Sequence, residues 1–277
     1  MVNYSLFRLI RFSKTELFFV PIIETTNPVL LGFKGLHLYH AHISNCSARV
    51  RLLLEEKKIP WESHHIFLAK RENVTEEYFG INPKGVVPSL VNEGKVITES
   101  NDILIYLEKT FPDPSFRNVS SEKQLEIDRW LKISGEAHMP GIKTYQYYKR
   151  NAKAMKKTEA EVALYRRLQK DPAYLAFHGK HDLPGQSFTA EDAERAVALM
   201  DGYFTEMEEI LSRNQWLVEN TYTLADISWS PTITTLKRGG YDFNAFPNLM
   251  AWYNRISGQP SFQAAVTKWY TGERLEA

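Results

Sequence analysis

Ser44, Cys46 and Ser47 stand within four residues of one another, in the stretch Ser44-Asn45-Cys46-Ser47-Ala48-Arg49-Val50-Arg51, where a short apolar run gives way to a helical pattern. A helix N-terminus leaves several backbone N–H groups unpaired and carries a partial positive charge, so it favours an anion. A hydroxyl placed there can donate to a bound thiolate, and that bond lowers a thiol pKa from its reference of about 8.5. Ser44 or Asn45 is equally suited to capping the helix and nothing more. Ser47, three positions on, shares the helical face of Ser44 and is the rival hydroxyl. Cys46 is two positions from Ser44, roughly 200° around a helix, which directs it to the opposite face as a buried thiol. If the loop turns Cys46 to the ligand instead, its own thiolate is the nucleophile.

Two further stretches carry chemistry. In Asn82-Pro83-Lys84-Gly85-Val86-Val87-Pro88-Ser89-Leu90, Pro88 falls inside a β-prone run, although proline lacks the N–H that a central strand needs. A cis Val87-Pro88 bond accounts for it and presents the Val87 backbone to an extended ligand as a strand partner would; a bulge or an edge strand also accounts for it. In Thr98-Glu99-Ser100-Asn101, at the start of a helix, Glu99 can pair with an ammonium while Ser100 and the helix N-terminus take a carboxylate. Those are the two ends of an α-amino acid, though a plain helix cap reads the same residues.

The elements that must position these residues follow from periodicity. Leu36 to Tyr39 reads as a strand, Cys46 to Lys58 as a helix ended by Pro60, and Trp61 to Leu68 as a strand. Thr75 to Phe79 is a short helical piece. Gly85 to Val91 and Lys95 to Thr98 form a hairpin over Asn92-Glu93-Gly94, and Ser100 to Thr110 is a helix. The order β-α-β-α-β-β-α predicts a thioredoxin-like α/β domain over residues 35–112, a mixed sheet with helices on both faces. Phe111-Pro112-Asp113-Pro114 opens a linker over 113–120. Residues 121–277 predict an all-α domain, with helices over Ser121 to Arg150, Thr158 to Gln169, Thr189 to Ser212, Leu224 to Leu236, Leu249 to Ser257 and Ser261 to Tyr270. Asp171 to Ser187, rich in Gly, Pro and His, predicts a loop.

Residues 1–34 do not share this order. Their apolar pieces are cut by Arg8, Arg11, Lys14, Glu16 and Glu24, so none reaches the roughly 20 residues that span a bilayer. The early basic residues suggest a transit segment; a misplaced start or an extra strand packed on the fold explains them as well. Across all 277 residues, 34 Lys and Arg against 33 Asp and Glu give a net charge of +1, with no basic field for nucleic acid. A single cysteine excludes an intrachain disulfide and a thiolate zinc site, and fits a reducing, cytoplasmic setting. His37, His40, His42, His64 and His65 cluster in sequence. Strand alternation sends His64 and His65 to opposite faces and no carboxylate has ligand spacing, so no metal is expected.

Taken together the three stretches resemble the glutathione transferase superfamily, in particular its serine-type and cysteine-type classes (zeta, tau and omega), in which the catalytic residue lies five positions before an arginine, as Ser44 lies before Arg49. The resemblance covers about Leu36 to Trp269. Trp216-Leu217-Val218-Glu219 with Thr223-Leu224-Ala225-Asp226-Ile227-Ser228 resembles the capping segment in the core of the family's helical domain. The resemblance implies that Ser44 activates glutathione as co-substrate, that Val87 before cis-Pro88 binds its cysteinyl backbone, and that Glu99 and Ser100 hold its γ-glutamyl end. Lys70 or Lys84 would meet the glycine carboxylate. It further implies a homodimer and an acceptor pocket against the first long helices of the second domain, where His138, Tyr145 and Tyr148 would face an aromatic electrophile. The long helical domain looks like those of β-etherases and dehalogenase-like members, which implies an aryl ether or aryl halide acceptor. Two other readings stand beside conjugation: thiol transfer through Cys46, and glutathione binding without turnover.

Overall fold

The structure is a computed structural model that describes residues 20–149, 157–182 and 187–273. Arg8, Arg11 and Lys14 lie outside these residues, as does Arg150 at the expected end of a helix.

The first domain is built on a mixed sheet. Strands β2 (Leu36–His40) and β3 (Glu62–His65) are parallel, and the helix α2 (Asn45–Glu56) makes the crossover between them. Strands β4 (Ser89–Asn92) and β5 (Lys95–Thr98) form the predicted hairpin over Glu93 and Gly94, both with positive φ, as a tight two-residue turn requires. The third strand is shorter than the run from Trp61 to Leu68: after His65 the chain passes into a 3-10 turn at Leu68–Lys70. A fifth strand comes from the first 34 residues. β1 (Ile22–Glu24) pairs antiparallel with β5, giving the order β1-β5-β4-β2-β3, and a one-turn helix α1 (Pro28–Leu31) links β1 to β2. The extra strand among the three sequence readings is therefore formed by residues 22–24.

Helices cover both sheet faces. α2 and α4 (Ser100–Thr110) bury Leu52, Leu53, Ile103, Leu104 and Leu107 against Leu38, Leu90 and Ile97, all fully enclosed. The short α3 (Glu76–Ile81) covers the other face with Tyr78 and Ile81. Alternation along β3 does separate the histidines: His64 stacks with Tyr39 and hydrogen-bonds to His37, whereas His65 packs with His42 and Trp269.

Beyond the linker the chain is helical. α5 (Ser121–Glu136) does not run on to Arg150 as expected, because Pro140 cannot donate to the helix ladder; a π-turn at His138–Lys143 intervenes before α6 (Thr144–Lys149). Gly141 in that turn is pressed against another helix, for a Cβ there would lie 2.6 Å from Sδ of Met200. α7 (Glu159–Leu168), α8 (Pro172–Gly179), α9 (Ala190–Leu211), α10 (Leu224–Arg238) and α11 (Pro247–Ser257) follow, and the one-turn α12 (Pro260–Phe262) and α13 (Lys268–Tyr270) flank a second π-turn.

α8 corrects the loop expected over Asp171 to Ser187. Asp171 Oδ1 accepts from the N–H groups of Ala173 and Tyr174, and Pro172 occupies the first helical position, where its missing N–H costs nothing. In α10 the expected capping box is present. Asp226, fully enclosed, accepts from the N–H groups of Thr223 and Leu217 and from Nε1 of Trp252, so one carboxylate ties three segments of the helical core together.

Candidate active site

The two domains meet along α2, which packs on α10, and the contact is polar at its centre. Arg49 is 1% exposed and donates to Ser228 O at 2.8 Å, Ser100 Oγ at 3.1 Å, Ser134 O at 3.2 Å and Thr232 Oγ1 at 3.3 Å. Arg51, two residues on, points the other way and donates to Ala265 O and Ala41 O. A buried guanidinium is tolerated when its donors all find acceptors. These two arginines lock the helix that begins at Ser44 to the second domain.

Ser44 is the N-cap of α2. Its Oγ accepts from the N–H of Ser47 at 3.1 Å, which uses one lone pair, and among the described residues no acceptor takes its hydroxyl proton. Both sequence readings of Ser44 are thus compatible, since capping uses the oxygen and thiol activation uses the proton. Ser47 differs from Ser44 in its burial rather than in its bonding. It is fully enclosed, and its Oγ accepts from the N–H of Ala41 at 3.2 Å.

Cys46 does not point into the hydrophobic core. It is partly exposed, with Sγ 3.6 Å from Nε2 of His138 and 3.9 Å from the Arg49 guanidinium. Burial holds His138 well below the usual histidine range, with Lys143 and Arg49 adding to the effect. A neutral imidazole brings no positive charge to the sulfur, which leaves Arg49 as the cation beside it.

The other two stretches converge beside α2. The Val87-Pro88 bond is cis, and among the described residues neither the N–H nor the C=O of Val87 has a hydrogen-bond partner. Glu99, at the start of α4, has φ of 62°, the left-handed region that non-glycine residues seldom adopt. Its carboxylate pairs with the Lys84 ammonium at 2.6 Å. Ser100 is nearly buried and accepts from Arg49 through Oγ. Lys84 is thus held on Glu99, while Lys70 lies over the ring of Phe67, 4.5 Å from its centroid.

Sequence reasoning missed α7 and α8 as neighbours of this region. Arg71 pairs with Glu161, Glu76 with Arg167, and Gln169 Nε2 donates to Lys84 O. Tyr174 stands beside the Lys84 ammonium, 5.7 Å from ring centroid to Nζ, and burial together with the negative charge of Glu99 pushes its hydroxyl pKa up. The Asp171-Pro172 start signal was legible; which domain the helix would lie against was not.

The expected acceptor wall is divided. Tyr145 and Tyr148 line one depression of about 330 Å³ with Glu194 and Asp201 of α9, and His138 is not part of it. A second depression, of about 270 Å³, is bordered by Ile43, the residue before Ser44, and by Gln146, Lys149, Thr235, Arg238 and Tyr270. Among the described residues there is no group of three or more His, Cys, Asp or Glu side chains arranged to hold a metal ion, and no helix long and apolar enough to cross a membrane.

The comparisons with known proteins agree with this geometry. The glutathione S-transferase N-terminal domain profile matches residues 38–115, and the C-terminal domain profile matches residues 137–260. Protein LigF from Sphingobium sp. (strain NBRC 103272 / SYK-6) is 29% identical over 227 residues, covering 78% of this chain and 86% of that protein. The tetrachloro-p-hydroquinone reductive dehalogenase of Sphingobium chlorophenolicum is 24% identical over 246 residues, covering 82% of this chain and 94% of that one. The crystal structure of the β-etherase LigF from Sphingobium sp. strain SYK-6 superposes with a TM-score of 0.66 at 26% identity, over 83% of this chain and 98% of that chain. A thioredoxin-like domain with a cis-proline loop, locked to a helical domain through the helix that Ser44 caps, together with both profiles, shows that the chain belongs to the glutathione S-transferase family.

Proposed function

We propose that the protein conjugates glutathione to an electrophilic carbon, with Ser44 donating its hydroxyl hydrogen bond to the glutathione thiolate. The observation that carries this is the free proton of Ser44 at a helix N-terminus, where the oxygen is already engaged as the cap. A fixed donor at the developing or resting anion stabilises it without reorganisation at the moment of reaction. The unpartnered Val87 backbone supports a strand-like pairing with the cysteinyl residue, and Glu99 with Ser100 suits the γ-glutamyl end. In the step itself the sulfur forms a bond to carbon, and the leaving group departs with the bonding pair of the bond that breaks. The names of the similar proteins, a β-etherase and a reductive dehalogenase, favour an aryl ether or aryl halide as acceptor. A homodimer in the cytoplasm is the accompanying expectation, and sedimentation tests the dimer.

The test is steady-state conjugation with a panel of aryl halides and aryl ethers for the parent and Ser44→Ala. A loss of about 100-fold in kcat/KM is expected, the scale for removing one transition-state donor. Full activity of Ser44→Ala would remove Ser44 from the mechanism, and glutathione binding without turnover of any panel member would favour a binding module.

A second reading has one observation in its favour. Cys46 lies against His138 and Arg49 at the domain boundary, which suits a thiol that exchanges with glutathione disulfides. Under that reading Cys46→Ala abolishes turnover and Ser44→Ala does not.

A further inference from the structure

The depression beside Ile43 has a chemistry of its own. Tyr270 forms its inner wall: its hydroxyl donates to the carbonyl of Ile43 at 3.1 Å and hydrogen-bonds to Thr235 Oγ1 at 2.7 Å. The wall is thereby fastened to the backbone that immediately precedes Ser44. Gln146 closes another side by donating to Thr235 O at 2.7 Å, and it lies so near Gly239 that a Cβ there would be 2.2 Å from Nε2. Two cations from different helices border this neutral floor. The Arg238 guanidinium, from α10, lies 5.0 Å from the Tyr270 ring centroid, and the Lys149 ammonium, from α6, lies 5.5 Å from that of Tyr145.

Among the described residues no carboxylate lines this depression; the neighbouring one, which Lys149 also borders, has Glu194 and Asp201. A basic residue in the last turn of α10 complements the helix dipole, and Lys237 beside it already does so. The dipole accounts for neither the direction of Arg238 nor the arrival of a second cation from α6. At about 270 Å³ the space is near the lower limit of small-molecule pockets, roughly 300 Å³, which suits a single substituted ring.

We propose that this depression receives the electrophile and selects one that carries an anionic group, an aromatic carboxylate or phenolate, with Arg238 and Lys149 as the residues that set the preference. The proposal rests on the transfer reading above for its chemistry, but not for its binding. The aromatic ring lies on the Tyr270 wall with its reacting carbon toward Ser44, and the anionic group is directed to the two cations. Arginine suits this role because its planar donors meet a carboxylate in two places at once.

A matched pair of probes tests it: para-chloro-meta-nitrobenzoate and the corresponding benzamide, which differ in charge at one position. In each, the glutathione sulfur bonds to the ring carbon and chloride leaves with the C–Cl bonding pair. The pre-formed glutathione conjugates of both probes are also titrated by calorimetry, a readout independent of turnover. The parent is expected to bind the carboxylate conjugate roughly fivefold or more tightly than the carboxamide, the scale of a partly exposed charge pair, and the advantage should shrink as salt is raised. In Arg238→Gln with Lys149→Gln the ratio should fall to about one, with a matching fall in the ratio of kcat/KM for the free probes. Both positions are exposed, so the fold is not at stake. Equal binding of the two conjugates by the parent, failure of both to bind, or an advantage that survives in the double variant would each overturn the proposal. A carboxylate preference in binding with no turnover of either probe would sustain it while removing the transfer reading.

Discussion

Sγ of Cys46 lies 3.6 Å from Nε2 of His138, although 92 residues separate them. The thiol comes from the first turn of α2 and the imidazole from the π-turn that breaks the first long helix of the second domain, so the contact reports on the domain boundary. It also separates the two mechanisms. A cysteine next to an imidazolium is primed as a thiolate, whereas burial keeps this imidazole neutral. Cys46→Ala is therefore expected to retain conjugation within about threefold, the ordinary consequence of removing a small partly buried contact without removing a donor to the reacting sulfur. Measuring kcat/KM for Cys46→Ala beside Ser44→Ala checks this, and a dead Cys46→Ala would reverse the assignment.

The Lys84 ammonium is bonded to Glu99 where the glutathione ammonium is expected. Binding then replaces one cation by another at the same carboxylate. Glu99→Gln should weaken glutathione binding roughly tenfold, the scale of a charge-assisted hydrogen bond. Lys84→Met should act in the opposite direction, strengthening it by about two- to threefold, because the carboxylate no longer has an internal partner. Calorimetric titration of both variants at low ionic strength decides the signs.

Asp102, in the first turn of α4, has its pKa raised to about 6 by burial and by the negative charge of Glu99, from 3.8 in the unfolded chain. Between those values the folded protein holds a proton that the unfolded chain has released, so stability falls as pH rises through about 4 to 6 and is level above it. Asp102→Asn removes this dependence. Relative to the parent it should gain on the order of 1 kcal/mol on going from pH 4 to pH 7, after allowance for solvent screening of a partly exposed group. Urea denaturation at a series of pH values measures the difference, and a parent that gained stability relative to Asp102→Asn over this range would contradict the sign.

Lys57 and Glu108 form a buried ion pair at 2.8 Å, and the same ammonium donates to the carbonyls of Phe111 and Pro114 in the linker. Breaking the pair from one side leaves an uncompensated charge in the interior. Lys57→Met or Glu108→Gln alone should cost about 3–5 kcal/mol, and the double change Lys57→Met with Glu108→Leu should cost less than the sum. A double-mutant cycle by chemical denaturation gives the coupling directly; strictly additive losses would mean that the pair is not acting as a unit.

What was legible in the sequence was local. The helix after Ser44, the hairpin over Glu93-Gly94, the capping box of Thr223 with Asp226 and the interruption before Ser89 all follow from residue preferences acting over a few positions. These are also the features that carry the family's motifs, so the element order of the first domain and the candidate glutathione residues could be read together. The errors were of range. A helical pattern from Ser121 to Arg150 hid the break at Pro140, because apolar spacing continued across it. The composition of Asp171 to Ser187 suggested a loop, although Asp171-Pro172 opens a helix.

The tertiary structure decided what depends on residues far apart in the chain. Only the packing of the two domains shows that Ser47 is fully enclosed and that Cys46 meets His138 of the π-turn. Only the sheet shows residues 22–24 completing its edge on β5. The convergence of Arg238, Lys149 and Tyr270 is of the same kind, bringing three helices to one depression. Sequence determines which backbone hydrogen bonds and caps a segment can make by itself, since those close over three or four residues. Which side chains share a cleft is settled by burial across the whole chain, and no local pattern encodes it.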